Sequence, residues 1–336
     1  MSDILFDTAT LQGVVRALPL PKLGFAAKYF QRVVESDAPE INFDVEGTDL
    51  TMSPFVSPLV PGKIVVEEGY NTKTFRPAYV KDKTPFTPQR ATTRMLGEKI
   101  GGEFSPAERL QLAIAMELSK KLNRLERRLE WMAVQALMYG SVEIKGDNYP
   151  ARIVNFGRDA SLSITKAAGT KWTDAGVSPM DDLHLWSALG EAPITDYFMT
   201  QDVYAVFRAS ADVKERMLWV RGSDTITTAA VLSRDLTLMG TLDSFRIWVI
   251  PKLEIKNEAG QKVRMVPDGT VLGVADLYFE GVRHYGAIQD VDHFEPGAYF
   301  VKSWVDPDPS VRYMMLQSAP LMVPYRPNCT LRATVK

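Results

Sequence analysis

Apolar residues return every three or four positions along "SPAERLQLAIAMELSKKLNRLERRLEWMAVQALMYG": Ala107, Leu110, Ile114, Leu118, Leu122, Leu125, Leu129, Met132 and Ala136. That spacing lays them in one stripe along a continuous α-helix, residues 105–139. The ends are signalled too. Ser105 reads as N-cap, Pro106 as the first helical residue and Glu108 as the third, which makes a capping box. Gly140 stands where a left-handed C-terminal glycine belongs. Lys120, Lys121, Arg124, Arg127 and Arg128 fill the opposite side, which predicts a charged, solvated face. At 1.5 Å per residue the helix is about 50 Å long. A compact chain of 336 residues has a diameter of about 50 Å. The helix therefore spans the body, as a strut between domains or as one strand of a coiled coil.

A second pattern precedes it. "YNTKTFRPAYVKDKTPFTPQRATTR", residues 70–94, is rich in Thr, Phe, Tyr and Val, yet neither set of alternate positions is apolar. A core strand has one apolar face. The stretch holds six Lys or Arg against one Asp, and three prolines, which argue against a central strand. Residues 63–96 read as a long hairpin that leaves the body and contacts another chain.

Elsewhere the patterns are shorter. Residues 1–104 look extended, with a short helix at "LQGVVRAL" or "GFAAKYFQRVV". "SVEIKGDNYPARIVNFG" reads as a hairpin and "SPMDDLHLWSALG" as a capped helix. "DYFMTQDVYAVFRASADVKERM" reads as a strand running into a helix. "DSFRIWVIPKLEIKNEAGQKVRMVPDGTVLGVAD" reads as a hairpin with its tip at Glu258, Ala259 and Gly260. Strands close the chain. Sheet on both sides of one long helix makes the fold class α+β.

Composition narrows the function. The net charge is -2, so no overall basic balance exists for gripping nucleic acid. The single cysteine, Cys329, excludes an internal disulfide and favours a reducing compartment. No apolar run is long enough to span a membrane, and "MSDILFDTAT" does not read as a signal peptide. No phosphate-loop, dinucleotide, zinc-protease or serine-hydrolase motif occurs, so no catalytic residue, metal or cofactor is expected. Asp290, Asp292, His293 and Glu295 cluster in "YGAIQDVDHFEPG". They read as a polar loop, with a hard-metal or acid–base site as the alternative. Cys329 reads as a small core residue.

Several ordered segments carry a resemblance. "VSPLVPGKI", "FRPAYVKDK" (75–83), "RGSDT" from Arg221, "VPDGTVLG" (266–273), "YGAIQDVD" (285–292) and "LQSAPLMVP" (316–324) are similar to segments of the lambda-type major capsid proteins of tailed phages, the capsid protein E family. "YRPNCTL" resembles the closing strand of the wider Hong Kong 97-type capsid fold. The resemblance implies an N-terminal arm (1–55), an extended loop (56–104) and a peripheral domain with a spine helix (105–175). It then implies an axial domain (176–286), a return through the peripheral domain (287–315) and C-terminal strands (316–336).

It also implies a structural subunit, not an enzyme, that builds hexamers and pentamers of an icosahedral shell around double-stranded DNA, without tight sequence-specific binding of that DNA. Assembly would take place in the host cytoplasm. A separate scaffolding protein, a portal and a decoration protein are the implied partners, with no membrane. An encapsulin-like nanocompartment shell is the alternative. The extended loop would cross the neighbouring subunit, with Lys73, Phe75, Arg76, Tyr79, Lys81, Lys83, Arg90 and Arg94 as inter-subunit contacts. Some relatives crosslink a loop lysine. Lys73, Lys81 and Lys83 are available here, but no crosslink motif is evident, so a non-covalent shell is expected.

Overall fold

The structure, a computed structural model, describes residues 6–18, 24–45, 71–87, 104–146, 149–216, 218–219, 236–252, 254–256, 260–291, 296–308 and 310–336. In chain order the helices are α1 (Thr8–Ala17), α2 (Gly24–Tyr29), α3 (Pro106–Tyr139), α4 (Pro179–Ser187), α5 (Gln201–Phe207) and α6 (Ala211–Arg216). The strands are β1 (Arg32–Glu35), β2 (Ile41–Val45), β3 (Asn71–Phe75), β4 (Val80–Phe86), β5 (Ser141–Gly146), β6 (Tyr149–Asn155), β7 (Ser163–Thr165), β8 (Asp196–Thr200), β9 (Leu218–Trp219) and β10 (Thr237–Leu242). They continue with β11 (Phe245–Ile250), β12 (Glu254–Lys256), β13 (Lys262–Arg264), β14 (Thr270–Val274), β15 (Gly281–Tyr285), β16 (Phe300–Pro307), β17 (Ser310–Ser318), β18 (Pro320–Pro324) and β19 (Thr330–Thr334).

The long helix forms as its pattern predicts. Ser105 accepts a hydrogen bond from the Glu108 N–H, and Glu108 accepts one from the Ser105 N–H at 2.8 Å. Gly140 ends the helix at φ 60°. Its seven stripe residues from Ile114 to Ala136 are buried, while Ala107 is exposed and Leu110 half-buried. From Leu129 onward Ala133, Val134, Leu137 and Met138 are buried as well. The C-terminal half of α3 is therefore core on nearly every side, neither a solvated strut nor a coiled-coil strand.

A seven-stranded mixed sheet, in the order β7-β19-β14-β8-β11-β10-β9, divides the interior. All five residues of its central strand β8, "DYFMT", are buried. Phe198 joins the core around α3, together with Trp248 and Leu272. Tyr197 and Met199 face the other way, into a second core with Trp172, Trp186, Phe207 and Val213. A strand buried on both faces shows no alternation. Against α3 lie two three-stranded sheets, β1-β15-β18 and β16-β17-β4. Hairpin β5–β6 forms where the sequence pattern places it. The hairpin read over 243–276 is corrected: only its inner part pairs, as β12–β13, while its outer arms β11 and β14 are not partners and lie on either side of β8, because each finds its ladder with distant strands of the large sheet. The tips, 147–148 and 257–259, lie outside the described residues. Both candidate helices near the N-terminus form, as α1 and α2.

The hairpin expected over 63–96 is corrected within its described part, 71–87. Strand β3 pairs backward with β2, from Ile41↔Phe75 to Val45↔Asn71, and β4 pairs with β17. The two are not partners of each other. Pro77, between them, is buried against Gly286, where a Cβ would stand 2.8 Å from the proline ring. The rest of that hairpin, 63–70 and 88–96, lies outside the described residues. Strand β4 is an edge strand with Pro85 exposed, which suits a residue without an N–H to donate. It does have an inner face: Val80, Asp82, Thr84 and Phe86. Half of that face is polar, which hid it from hydrophobic patterning.

Replacing Gly140 with Ala should cost about 2 kcal/mol or more. The left-handed φ is strained for a side chain, and the new Cβ would lie 2.4 Å from that of Arg158. Urea denaturation of the two proteins measures the difference.

Candidate assembly surface

Four charged side chains of α3 are buried: Glu117, Lys121, Glu126 and Glu130. Lys121, expected on the solvated face, is fully buried. Its ammonium donates to the Asp82 carbonyl at 2.9 Å, the Asp82 carboxylate at 3.0 Å and the Thr84 hydroxyl at 2.6 Å. Arg124, one turn on, reaches the other Asp82 oxygen at 2.7 Å. Burial opposes the charge on Asp82, but the hydrogen bonds from Arg124 and Lys121 outweigh it and hold the carboxyl below its usual range. Burial lowers the Lys121 pKa despite Asp82. Glu126 faces Arg283 at 3.7 Å. Glu130 accepts from the Phe25 N–H at 2.8 Å and the Ala26 N–H at 2.7 Å, satisfying the first free donors of α2.

Helix α2 is in turn bolted to the large sheet. Lys28 and Arg246 both contact Asp196, which is fully buried, and both contact Asp276, at 3.2 Å and 2.6 Å. Tyr29 donates its hydroxyl to Asp196 at 2.9 Å. Two cations balance two carboxylates. Burial works against ionised Asp276, but Arg246 and Lys28 keep its pKa low. Burial, with Asp196 second, raises that of Tyr29.

The residues expected at the subunit contact divide. Phe75 packs half-buried against the main core. Arg76 is exposed and donates to Gln289 at 3.3 Å. Tyr79 donates to the Ala287 carbonyl at 3.1 Å and accepts from the Gln289 N–H at 3.2 Å. Lys81 and Lys83 are exposed on the outer face of β4. The Lys81 ammonium lies 5.2 Å from the Tyr79 ring, and that of Lys83 lies 3.8 Å from the Tyr313 ring and 5.1 Å from Trp304. Neither lysine has a carboxylate partner among the described residues. Lys73 takes its backbone place in β3; its side chain, with Arg90 and Arg94, lies outside the described residues.

Of the acidic and histidine cluster, Asp290 alone lies within the described residues. Asp290 accepts from Lys302 at 2.5 Å and from Gln317 at 2.8 Å, while residues 292–295 lie outside the described residues. Burial pushes the Cys329 thiol up to about 11, far from a reactive thiolate. Burial also lowers His284 to about 4, where its imidazole meets the Tyr325 hydroxyl at 2.9 Å. No described helix is long and apolar enough to cross a membrane.

What the subunit does present is apolar surface. Val291 is 85% exposed, Leu277 84%, Ile153 70% and Leu185 62%. Leu112 and Met116, one turn apart on α3, are exposed too. Large side chains on several faces suit a subunit that other copies cover.

The arrangement of helices and sheets has a counterpart among solved folds. A solved prophage capsid protein from Escherichia coli CFT073 matches it with a TM-score of 0.79, over 98% of this chain and 99% of that one, at 21% identity. The model of the family "Phage major capsid protein E" matches residues 7–335, and the chain belongs to that family. It is a major capsid protein of a phage or prophage. The P21 prophage-derived major head protein of E. coli O6:H1 and the major capsid protein of Enterobacteria phage P21 are each 30% identical over 333 residues, 95% of this chain and 96% of theirs. The major capsid protein of Escherichia phage lambda is 29% identical over 284 residues, 82% of each chain.

Two predictions follow from the buried charges. Asp82→Asn takes from buried Lys121 the carboxylate that accepts its hydrogen bond and leaves it only the charge of Glu117; it should cost about 3 kcal/mol in denaturant titration. His284 binds its proton near 6.5 when unfolded and near 4 when folded. Its contribution leaves stability unchanged above pH 6.5 and lowers it as the pH falls to 4. The ceiling is about 3 kcal/mol. Below that window the aspartates with lowered pKa, Asp82 and Asp276, lose their own contribution. His284→Gln should flatten the melting-temperature profile between pH 6.5 and 4 and leave the acid limb below it.

Proposed function

We propose that this subunit closes into hexamers and pentamers of an icosahedral shell around double-stranded DNA, and that the segment from Arg76 to Lys83 is one of its contacts with the next copy. The observation that carries this reading is the pairing of a fixed base with unpaired charge. Tyr79, Pro77 and Arg76 tie the segment to 286–289, while Lys81 and Lys83 stand exposed with no carboxylate partner among the described residues. In this reading α3 is the spine, β16-β17-β4 the peripheral sheet and the seven-stranded sheet the axial domain. Hairpin β2–β3 is the root of the extended loop.

Rings of five and six need heterologous contacts that one sequence can make at two angles. A segment anchored at its root, with flexible lysines beyond it, meets that need. Each interface would bury more than about 2,000 Å², as obligate assemblies do. Single exposed ion pairs contribute about 0–1 kcal/mol, so these charges set register more than affinity. A separate scaffolding protein, a portal and a decoration protein complete the proposal, with assembly in the host cytoplasm and a non-covalent shell.

Arg76→Glu combined with Lys81→Glu should abolish particles in negative-stain microscopy while circular dichroism still reports a folded subunit. Particles of normal yield and size from that variant would refute the contact role.

A further inference from the structure

A second concentration of positive charge lies elsewhere, where the last turn of α3 meets the edge of the large sheet. Strand β7 is that edge, and its Ser163 is the register partner of Arg332 on β19. Arg158 donates to the Ser163 hydroxyl at 2.6 Å and to the Leu137 carbonyl at 3.0 Å. The Arg332 guanidinium lies 4.6 Å from the Tyr139 ring, and its Nε is buried with no hydrogen-bond partner. The two guanidiniums repel: burial first, and Arg332 second, lower the Arg158 pKa to about 10.

Neither arginine has a carboxylate partner among the described residues. The adjacent Asp159 directs its carboxylate to the Ser161 N–H at 2.8 Å. The C-terminus of α3 offsets only about half a unit charge, against two full positive charges. Two half-buried guanidiniums held against each other without a counter-ion are unfavourable in an isolated subunit. Each also keeps donors free in a planar fork, the geometry that suits a carboxylate.

Resting on the shell reading above, we propose that Arg158 and Arg332 form a receptor for one carboxylate of an adjoining copy of this chain. The partner follows from topology. In a ring closed by heterologous contacts, one side of a subunit meets the opposite side of the next. The sheet edge opposite β7 is β9, and α6 ends two residues before it. Asp212 and Glu215 of α6 are exposed and have no partner among the described residues. The edge with unmatched cations and the edge that offers exposed carboxylates, interleaved on α6 with exposed Lys214 and Arg216, are thus the two ends of one sheet.

The test has two readouts on the full chain. The first is the melting temperature of the unassembled subunit in succinate against sodium chloride at matched ionic strength. Wild type should gain about 3 °C from a ligand that binds only the folded state. Arg158→Gln with Arg332→Gln should lose that gain, and Arg332→Met, which keeps the Arg158 bond to Leu137, should lose most of it. A gain equal in wild type and variants, or a gain with phosphate but not with succinate, overturns the carboxylate assignment. The second readout is particle yield from cells that express the chain together with the scaffolding protein encoded beside it. Arg332→Met should lower it about tenfold with the soluble subunit still folded, whereas unchanged yield overturns the inter-copy role. Failure of wild type to form particles would instead refute the shell reading, and the succinate measurement would still decide the receptor.

Discussion

The structure depends on one helix having its charges inside. Lys121, Glu126 and Glu130 of α3 point into the protein, and each meets a different, distant piece of chain: β4, Arg283 on β15 and the start of α2. Breaking a buried pair leaves an uncompensated charge, which is far more destabilising than losing an exposed one. The apolar stripe of α3 provides burial, but burial alone does not say which strand lies where. These three contacts do. They make the helix a frame on which segments far apart in sequence take one arrangement.

Helix α2 extends that frame. Its first N–H groups are held by α3, and its Lys28 enters the network of Asp196, Asp276 and Arg246 on the large sheet. Six residues of helix thus couple α3 to the large sheet. A short helix has little stability of its own, so tertiary contacts at both ends account for its place. Such coupling means that a force on the N-terminal region reaches both the long helix and the sheet.

The surface follows a different rule from the interior. Inside, charges are matched: Asp82 with Lys121 and Arg124, two aspartates with Lys28 and Arg246. Outside, among the described residues, Lys81 and Lys83 meet aromatic rings and no carboxylate, and Arg158 and Arg332 meet a hydroxyl, a carbonyl and a ring but no carboxylate. The same holds for exposed Leu277, Val291 and Ile153. In the proposed shell, other copies would supply what a lone subunit leaves unmatched.

The sequence by itself determined the long helix, its capping box and its glycine stop, because hydrophobic period and capping are local properties. The hairpin at 141–155 and the capped α4 were legible for the same reason. The family was legible from ordered segments spread over the chain. Only the tertiary structure decided that β4 pairs with β17, that β3 pairs with β2 and that Lys121 is buried. Asp82, the one acid among six bases in 70–94, was the available sign of an inward role. An inner face of Val80, Asp82, Thr84 and Phe86 reads as polar until the ammonium that satisfies it is in place. Hydrophobic periodicity detects burial by oil and misses burial by charge, because the matching partner lies about forty residues away in sequence and no local pattern carries it.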